Sequence, residues 1–281
     1  MSRLAREMKV LRLSWLEAKM HFSSPRMMAL IALLLLFICG GSWGLSDPMA
    51  IEGLGQLQFE TPYEILFLVS LFVLFSATLG VVLLGFDGIS RKRLTGELAI
   101  ELSQPINRFD LARSQLQGLW LAVFIPTTVA CAVGTLLIKV QIDALPSLYD
   151  WLYFMIPTGL IIFWYACIQL LASSIAKDLG SSVTLGVGIW MLFTFVWLLL
   201  TAILATIMGV DMTNLESAQY NHFSDIVDLL SPNGVYQLLL EGNLDADARP
   251  QLSQIYIWAS AILWSIIPGM LFLRRFKRLQ P

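Results

Sequence analysis

Charged residues are scarce in this chain of 281 residues: only 14% are Asp, Glu, Lys or Arg, whereas 57% are hydrophobic. Soluble domains carry about 25% charged and about 45–50% apolar residues. A soluble fold would need more polar surface than this sequence supplies. The composition therefore excludes an ordinary soluble domain and, with a mean hydropathy of +0.72, indicates an integral membrane protein.

The apolar residues form six long runs without charge, and each run reaches the roughly 18 residues that a membrane-spanning helix needs. They lie at 27–45, 65–86, 114–138, 151–176, 181–210 and 255–273. We therefore predict an all-α integral membrane fold, with a single transmembrane domain over residues 1–281 and six spans at these positions.

The spans also lack ionisable side chains, because no Asp, Glu, Lys, Arg or His lies in their interiors. Such residues are the usual equipment of ion-coupled carriers and of membrane enzymes, so both classes are disfavoured. No phosphate-binding loop of the form G-x-x-x-x-G-K-[ST] occurs, which predicts that the chain does not hydrolyse ATP itself. Cys39, Cys131 and Cys167 lack metal or redox spacing. We expect no catalytic residue, no metal site, no bound cofactor and no nucleic-acid partner.

The basic residues are distributed unevenly along the chain. Sixteen of the 18 Lys and Arg residues precede the first span, follow the last, or lie in the connections after the second and fourth spans. Only Lys139 and Arg249 fall on the other side. The positive-inside rule therefore predicts a multi-pass plasma-membrane protein with cytoplasmic N- and C-termini, residues 274–281 forming a cytoplasmic tail.

The N-terminal segment 2–24 has a helical pattern of its own. Its apolar side chains recur at alternating spacings of four and three, which places them on one stripe of a helix. The stripe consists of Leu4, Met8, Leu11, Trp15, Ala18 and Phe22. We interpret the segment as an interfacial helix with basic residues near anionic lipid headgroups. A short coiled-coil seam is the alternative.

The connection 88–113 is longer and more ordered than a simple loop requires. On a helical wheel Leu94, Leu98 and Leu102 share one apolar arc, and Arg93 and Glu97 are spaced for an ion pair. The pattern predicts one amphipathic helix over 90–102, ended by Pro105. The alternative is an ordinary loop whose cations only fix the topology.

The stretch DGISRKRLTGELAIELSQPINR at 87–108 resembles the cytoplasmic loop of ABC-2-type permeases, and most of all that of the NosY-like group. The positions that match the group are Asp87, Ile89, Gly96, Leu98, Leu102, Ser103, Pro105 and Arg108. LSPNGVYQLLL at 230–240 is similar to a second motif, through Pro232 and Tyr236. The chain departs from the group's pattern at Lys92, Leu94, Glu97 and Glu101, which predicts a partner-specific contact.

This resemblance implies a permease subunit of an ABC exporter, working as a homodimer or with a related permease. A separate ABC ATP-binding subunit would bind ATP and Mg and dock on the coupling helix. The residues assigned to that contact are Asp87, Arg91, Lys92, Arg93, Gly96, Glu97, Leu98, Glu101, Leu102, Pro105 and Arg108.

On the opposite side of the membrane, the extracytoplasmic segment 211–254 is expected to form one or two short helices. They would gate the pathway near Pro232 and Tyr236 and could receive an extracytoplasmic partner. Two alternatives stay open for the whole chain. One is a non-transport scaffold of an assembly or maturation complex, and the other, less favoured, is an ion-coupled secondary transporter.

Overall fold

The structure, a computed structural model, describes residues 3–47, 61–210, 217–244, 250 and 252–279. Within these ranges six helices are long and apolar enough to cross a membrane, which confirms the predicted all-α class and the number of spans. They are α2 (Pro25–Ser46), α3 (Pro62–Gly85), α6 (Arg108–Ile142), α7 (Leu148–Ile175), α8 (Leu179–Ile207) and α11 (Gln254–Lys277).

In the described part of the chain, five shorter helices accompany the spans. The N-terminal helix α1 runs Arg3–Phe22, and α4 (Ser90–Leu94) and α5 (Glu97–Ser103) lie between α3 and α6. Helices α9 (Ala218–Asp228) and α10 (Pro232–Glu241) fall within the predicted segment 211–254. Of that segment, 211–216, 245–249 and 251 lie outside the described residues.

Local sequence signals set several helix starts. Helix α3 begins with Thr61 as N-cap and Pro62 in the first turn. Ser147 and Asp150 form a reciprocal capping box at the start of α7. Asn107 caps α6, which therefore begins at Arg108 rather than near residue 114. The last residues of the predicted connection 88–113 thus belong to a long helix that extends past the apolar run.

The core forms around α3 and α7, which are the most deeply packed spans. Trp164 and Tyr165 of α7 are completely buried, and α7 packs against α3, α10 and α11. Helices α2 and α8 lie at the periphery with most of their apolar side chains open. Each of these two also contains a π-helical segment, Leu35–Cys39 and Leu192–Val196. Such segments are rare and shift the register of a helix.

Helices α9 and α10 form a hairpin that enters the bundle. Asn233, at the start of α10, accepts a hydrogen bond from Tyr165 Oη (2.8 Å) and donates to the Phe193 carbonyl (3.1 Å). These partners lie near the middle of α7 and α8, so the tip of the hairpin reaches half the depth of the bundle. At its other end, Tyr63 Oη donates to the Leu240 carbonyl (2.7 Å). The hairpin is thus part of the core rather than an external loop.

Candidate functional site

The candidate site lies where α1, α4, α5, the start of α6 and the end of α11 meet, and we call this region the basic end. Ion pairs join its elements: Arg6 binds Asp110 through two hydrogen bonds of 2.7 Å. Asp110 raises the pKa of the Arg6 guanidinium above its usual value through this bond and its charge. Two bonds of 3.1–3.2 Å join Arg113 to Glu7 in the same way.

The connection between α3 and α6 is not one helix. Gly96 has φ +79°, a left-handed conformation that interrupts the chain between α4 and α5. The predicted arc is also divided: Leu98 is fully buried, Leu102 is half-buried, and Leu94 is 58% exposed. The prediction of a continuous amphipathic helix over 90–102 was therefore wrong, because a helical wheel assumes uniform φ and ψ angles.

Arg93 faces inward rather than toward Glu97. Its guanidinium donates to the carbonyls of Ser174 (2.9 Å) and Ala176 (3.0 Å), at the end of α7. Cations are favoured at helix C-termini, where backbone carbonyls lack partners. The expected Arg93–Glu97 pair is replaced by this contact, which fastens α4 to α7.

Lys92 lies between two carboxylates and is largely enclosed. Its Nζ is 2.8 Å from Glu17 of α1 and 2.9 Å from Glu101 of α5. Gln115 of α6 donates a further bond to Glu101 (2.9 Å). Lys92 and Glu101 are two of the departures from the NosY-like pattern, and here they pair with each other inside the protein. Leu94 and Glu97 are the departures that stay exposed, and the partner-specific contact stays a prediction.

Asp87 and Arg108 have internal partners too. Asp87 is 6% exposed, binds Arg26 through two bonds of 2.7 and 2.9 Å, and lies 3.4 Å from Arg91. Arg108 donates to the Leu279 carbonyl (2.8 Å) and so holds the end of α11. Both residues match the family pattern, and in this structure both stabilise the basic end from within.

The remaining residues of the predicted set point outward. Arg91, Gly96, Glu97 and Pro105 are exposed. Ile100, which the sequence did not single out, is 65% exposed on α5. Leu94, Glu97 and Ile100 together form an open surface that we call the loop surface. Sequence reasoning missed Ile100 because it lies outside the apolar arc that the wheel defined.

Pro232 and Tyr236, the residues predicted on the other side, lie inside the bundle. Pro232 opens α10 behind the N-cap Ser231, and the Tyr236 hydroxyl is 3.3 Å from Thr158 of α7. Asn233, between them, was not predicted, although an Asn beside a Pro in an apolar segment is a recognisable signal.

A carboxylate reaches the same depth as Asn233. Trp197 Nε1 of α8 donates a hydrogen bond to Asp228 at the tip of the hairpin (2.9 Å). The hairpin thus brings an ionisable group to a depth where the spans carry none. No three His, Cys, Asp or Glu side chains in the described part of the chain are placed to hold a metal ion.

The architecture defines a helical membrane protein with six spans, an ion-paired basic end and a helical hairpin inserted from the other end. A sequence model described as "ABC-2 family transporter protein" matches residues 11–279. The chain therefore belongs to the ABC-2 transporter family, which confirms the predicted family. It is a membrane permease component of an ABC transporter rather than an enzyme. A search of curated proteins gives no significant match. The likeness to the NosY-like group stays a prediction.

Proposed function

We propose that this chain is the membrane-spanning half of an exporter and that a separate ATP-binding subunit drives it by docking on the loop surface. One observation carries the proposal. Leu94, Glu97 and Ile100 are exposed on two short helices, while their neighbours Lys92, Glu101 and Arg93 fix those helices to α1, α6 and α7. A firmly held base under an open, partly apolar surface suits a contact that must transmit force.

The orientation follows from the same end of the molecule. The basic end holds most of the Lys and Arg residues, and the positive-inside rule supports its assignment to the cytoplasm. We therefore place the protein in the plasma membrane with both termini cytoplasmic. ATP and Mg would bind the partner subunit, and this chain would bind no cofactor of its own.

The exposed spans support a dimer. Helix α8 leaves Leu198, Leu199 and Ile207 of its second half 63–74% exposed. Lipid covers such side chains in any membrane protein, but α8 packs so little against its own bundle that a second copy or a related permease is its natural neighbour. The export path would then form between the two subunits. An extracytoplasmic partner would bind on the side of the membrane from which the hairpin enters the bundle.

The test is charge insertion into the loop surface. Ile100→Asp should reduce copurification of the ATP-binding subunit and the hydrolysis of ATP by the reconstituted complex. The same change at Leu145, an exposed leucine of the connection between α6 and α7, is the matched control and should alter neither. Unchanged copurification and hydrolysis with Ile100→Asp would refute docking at this surface.

A further inference from the structure

Helix α1 has three different faces. The first packs closely on α6 through Val10, Ser14 and Ala18, which are buried. Gly118 permits this approach, since a Cβ atom there would lie 3.0 Å from the Ser14 carbonyl oxygen. Together with the Arg6 and Arg113 ion pairs, this packing makes α1 and the start of α6 one body.

The second face is apolar and open. Leu4, Met8, Leu11 and Trp15 of the predicted stripe are exposed, whereas Ala18 is buried against α6 and Phe22 is half-buried. The stripe is therefore shorter than the sequence suggested, and its free part does not contribute to the core. An open apolar stripe beside the entry of a span suits the acyl boundary of a bilayer.

The third face carries Lys9, Arg12 and Lys19. At about 100° per residue, Arg12 and Lys19 lie within about 20° of each other, beside the apolar stripe, and Lys9 follows farther round. All three are exposed, and none has an ion-pair partner among the residues that the structure describes. Three free cations next to an apolar stripe complement a surface of anionic phospholipid headgroups.

Helix α1 is also tied to the loop surface. Glu17 of α1 binds Lys92, which in turn binds Glu101 of α5. A displacement of α1 therefore changes the position of the carboxylate that holds α4 and α5. In the described part of the chain, the Glu17–Lys92 ion pair thus joins α1 to the α4–α5 connection.

We propose that α1 binds anionic phospholipid through Lys9, Arg12 and Lys19, and that lipid charge regulates coupling through the Glu17–Lys92–Glu101 contact. The regulatory part rests on the proposed function, because it needs an ATP-binding subunit on the loop surface. The lipid-binding part does not.

Two measurements separate these parts. The chain and its ATP-binding subunit are reconstituted in nanodiscs of phosphatidylcholine with or without phosphatidylglycerol. A fluorophore on Leu16→Cys, an exposed position beside the three cations, is quenched by brominated lipid of either kind and reports lipid contact. ATP hydrolysis reports coupling.

The wild-type label should be quenched more strongly by brominated phosphatidylglycerol, and phosphatidylglycerol should change hydrolysis several-fold. The variant Lys9→Gln/Arg12→Gln/Lys19→Gln should lose both effects. The control Arg274→Gln/Arg275→Gln/Arg278→Gln removes the same charge from exposed positions at the end of α11 and should keep both. Glu17→Gln should keep the lipid preference and lose the effect on hydrolysis.

Equal quenching by the two lipids in the wild type, or an undiminished preference in the neutralised variant, would overturn the lipid site. A label that neither brominated lipid quenches, because protein covers that face of α1, would also overturn the lipid site. A lipid preference without any effect on hydrolysis would overturn regulation alone. If Ile100→Asp also left hydrolysis unchanged, the proposed function would fail while the quenching result still decided the lipid site.

Discussion

The α4–α5 connection and the α9–α10 hairpin are both pairs of short helices between spans, yet they are held in opposite ways. Ion pairs fasten the connection to α1 and, through the adjoining Asp87, to α2, and the Lys92, Glu17 and Asp87 side chains in these pairs are 8–17% exposed. Buried hydrogen bonds and a close glycine contact hold the hairpin, in which Tyr236 and Leu239 have no exposed surface. The connection is attached by charged side chains, whereas the hairpin is attached by buried hydrogen bonds and is closely packed within itself.

This difference bears on movement. A lysine or arginine side chain can follow a carboxylate over several ångströms or exchange partners, so an ion-paired region can shift without coming apart. Packed backbone cannot, because interiors are as dense as organic crystals. We therefore expect the connection to be the part that moves under an attached partner, and the hairpin to move only together with α7 and α8.

Gly234→Ala should have the largest effect, since it attacks the packing of the hairpin directly. A Cβ atom at Gly234 would lie 2.5 Å from the Asp228 carbonyl oxygen, which is backbone and cannot rotate away. We expect a loss of about 3 kcal/mol or more in the free energy of unfolding. Thermal denaturation in detergent measures it.

Gly188→Ala is the matched control, because no atom lies within 4 Å of a Cβ added at Gly188 in α8. It should be neutral or stabilising by up to about 1 kcal/mol. A Gly234→Ala protein as stable as this control would show that the hairpin is not packed as described.

The ion pair of Asp87 gives the next largest effect. Arg26→Met leaves a carboxylate with 6% exposure whose remaining ion-pair partner among the described residues is Arg91, and we expect a loss of about 2 kcal/mol. The double variant Arg26→Met/Asp87→Leu should recover much of it. A double-mutant cycle measures the interaction free energy, and additive effects would contradict the pairing.

The sequence predicted the spans and the family because both depend on local information. A bilayer demands about 20 consecutive apolar residues, and the 87–108 motif is continuous in the chain. The contact of Lys92 with Glu17 was not predictable in this way, since the partners are 75 residues apart. Nothing in the local pattern distinguishes an inward lysine from an exposed one.

The break at Gly96 and the depth of the hairpin were missed for related reasons. A glycine within an apparently helical pattern is compatible with either a helix or a left-handed turn, and tertiary contacts decide between them. The segment around Asn233 is too short and too mixed in polarity to be recognised as a buried element. Its hydrogen bonds to α7 and α8 give it that position.

The stability of the hairpin should depend on pH through Glu241. Burial, with the nearby Asp225 and Asp228, raises the pKa of Glu241 from 4.5 to about 7. The folded state therefore binds its proton more tightly than the unfolded state, so stability is highest below about pH 4.5 and falls as the pH rises to about 7.

Glu241→Gln cannot ionise and should remove this loss. We expect the variant to gain about 1–2 kcal/mol over wild type at pH 8 and little at pH 5, a range set below the full shift because Glu241 is partly exposed. Thermal denaturation at the two pH values measures the difference. A gain of equal size at both would indicate a packing effect instead of titration.

The smallest effect is expected at Arg113, whose pair with Glu7 joins the same chemical groups as Arg26 and Asp87 but is more open, with side chains 29% and 45% exposed. Water screens such a pair, so Arg113→Gln should cost at most about 0.5 kcal/mol. High salt should abolish that cost, since the Debye length falls to about 3 Å at 1 M. The cost of Arg26→Met should persist in the same salt because Asp87 is buried. Equal salt sensitivity of the two variants, measured by thermal denaturation, would mean that burial does not distinguish the two ion pairs.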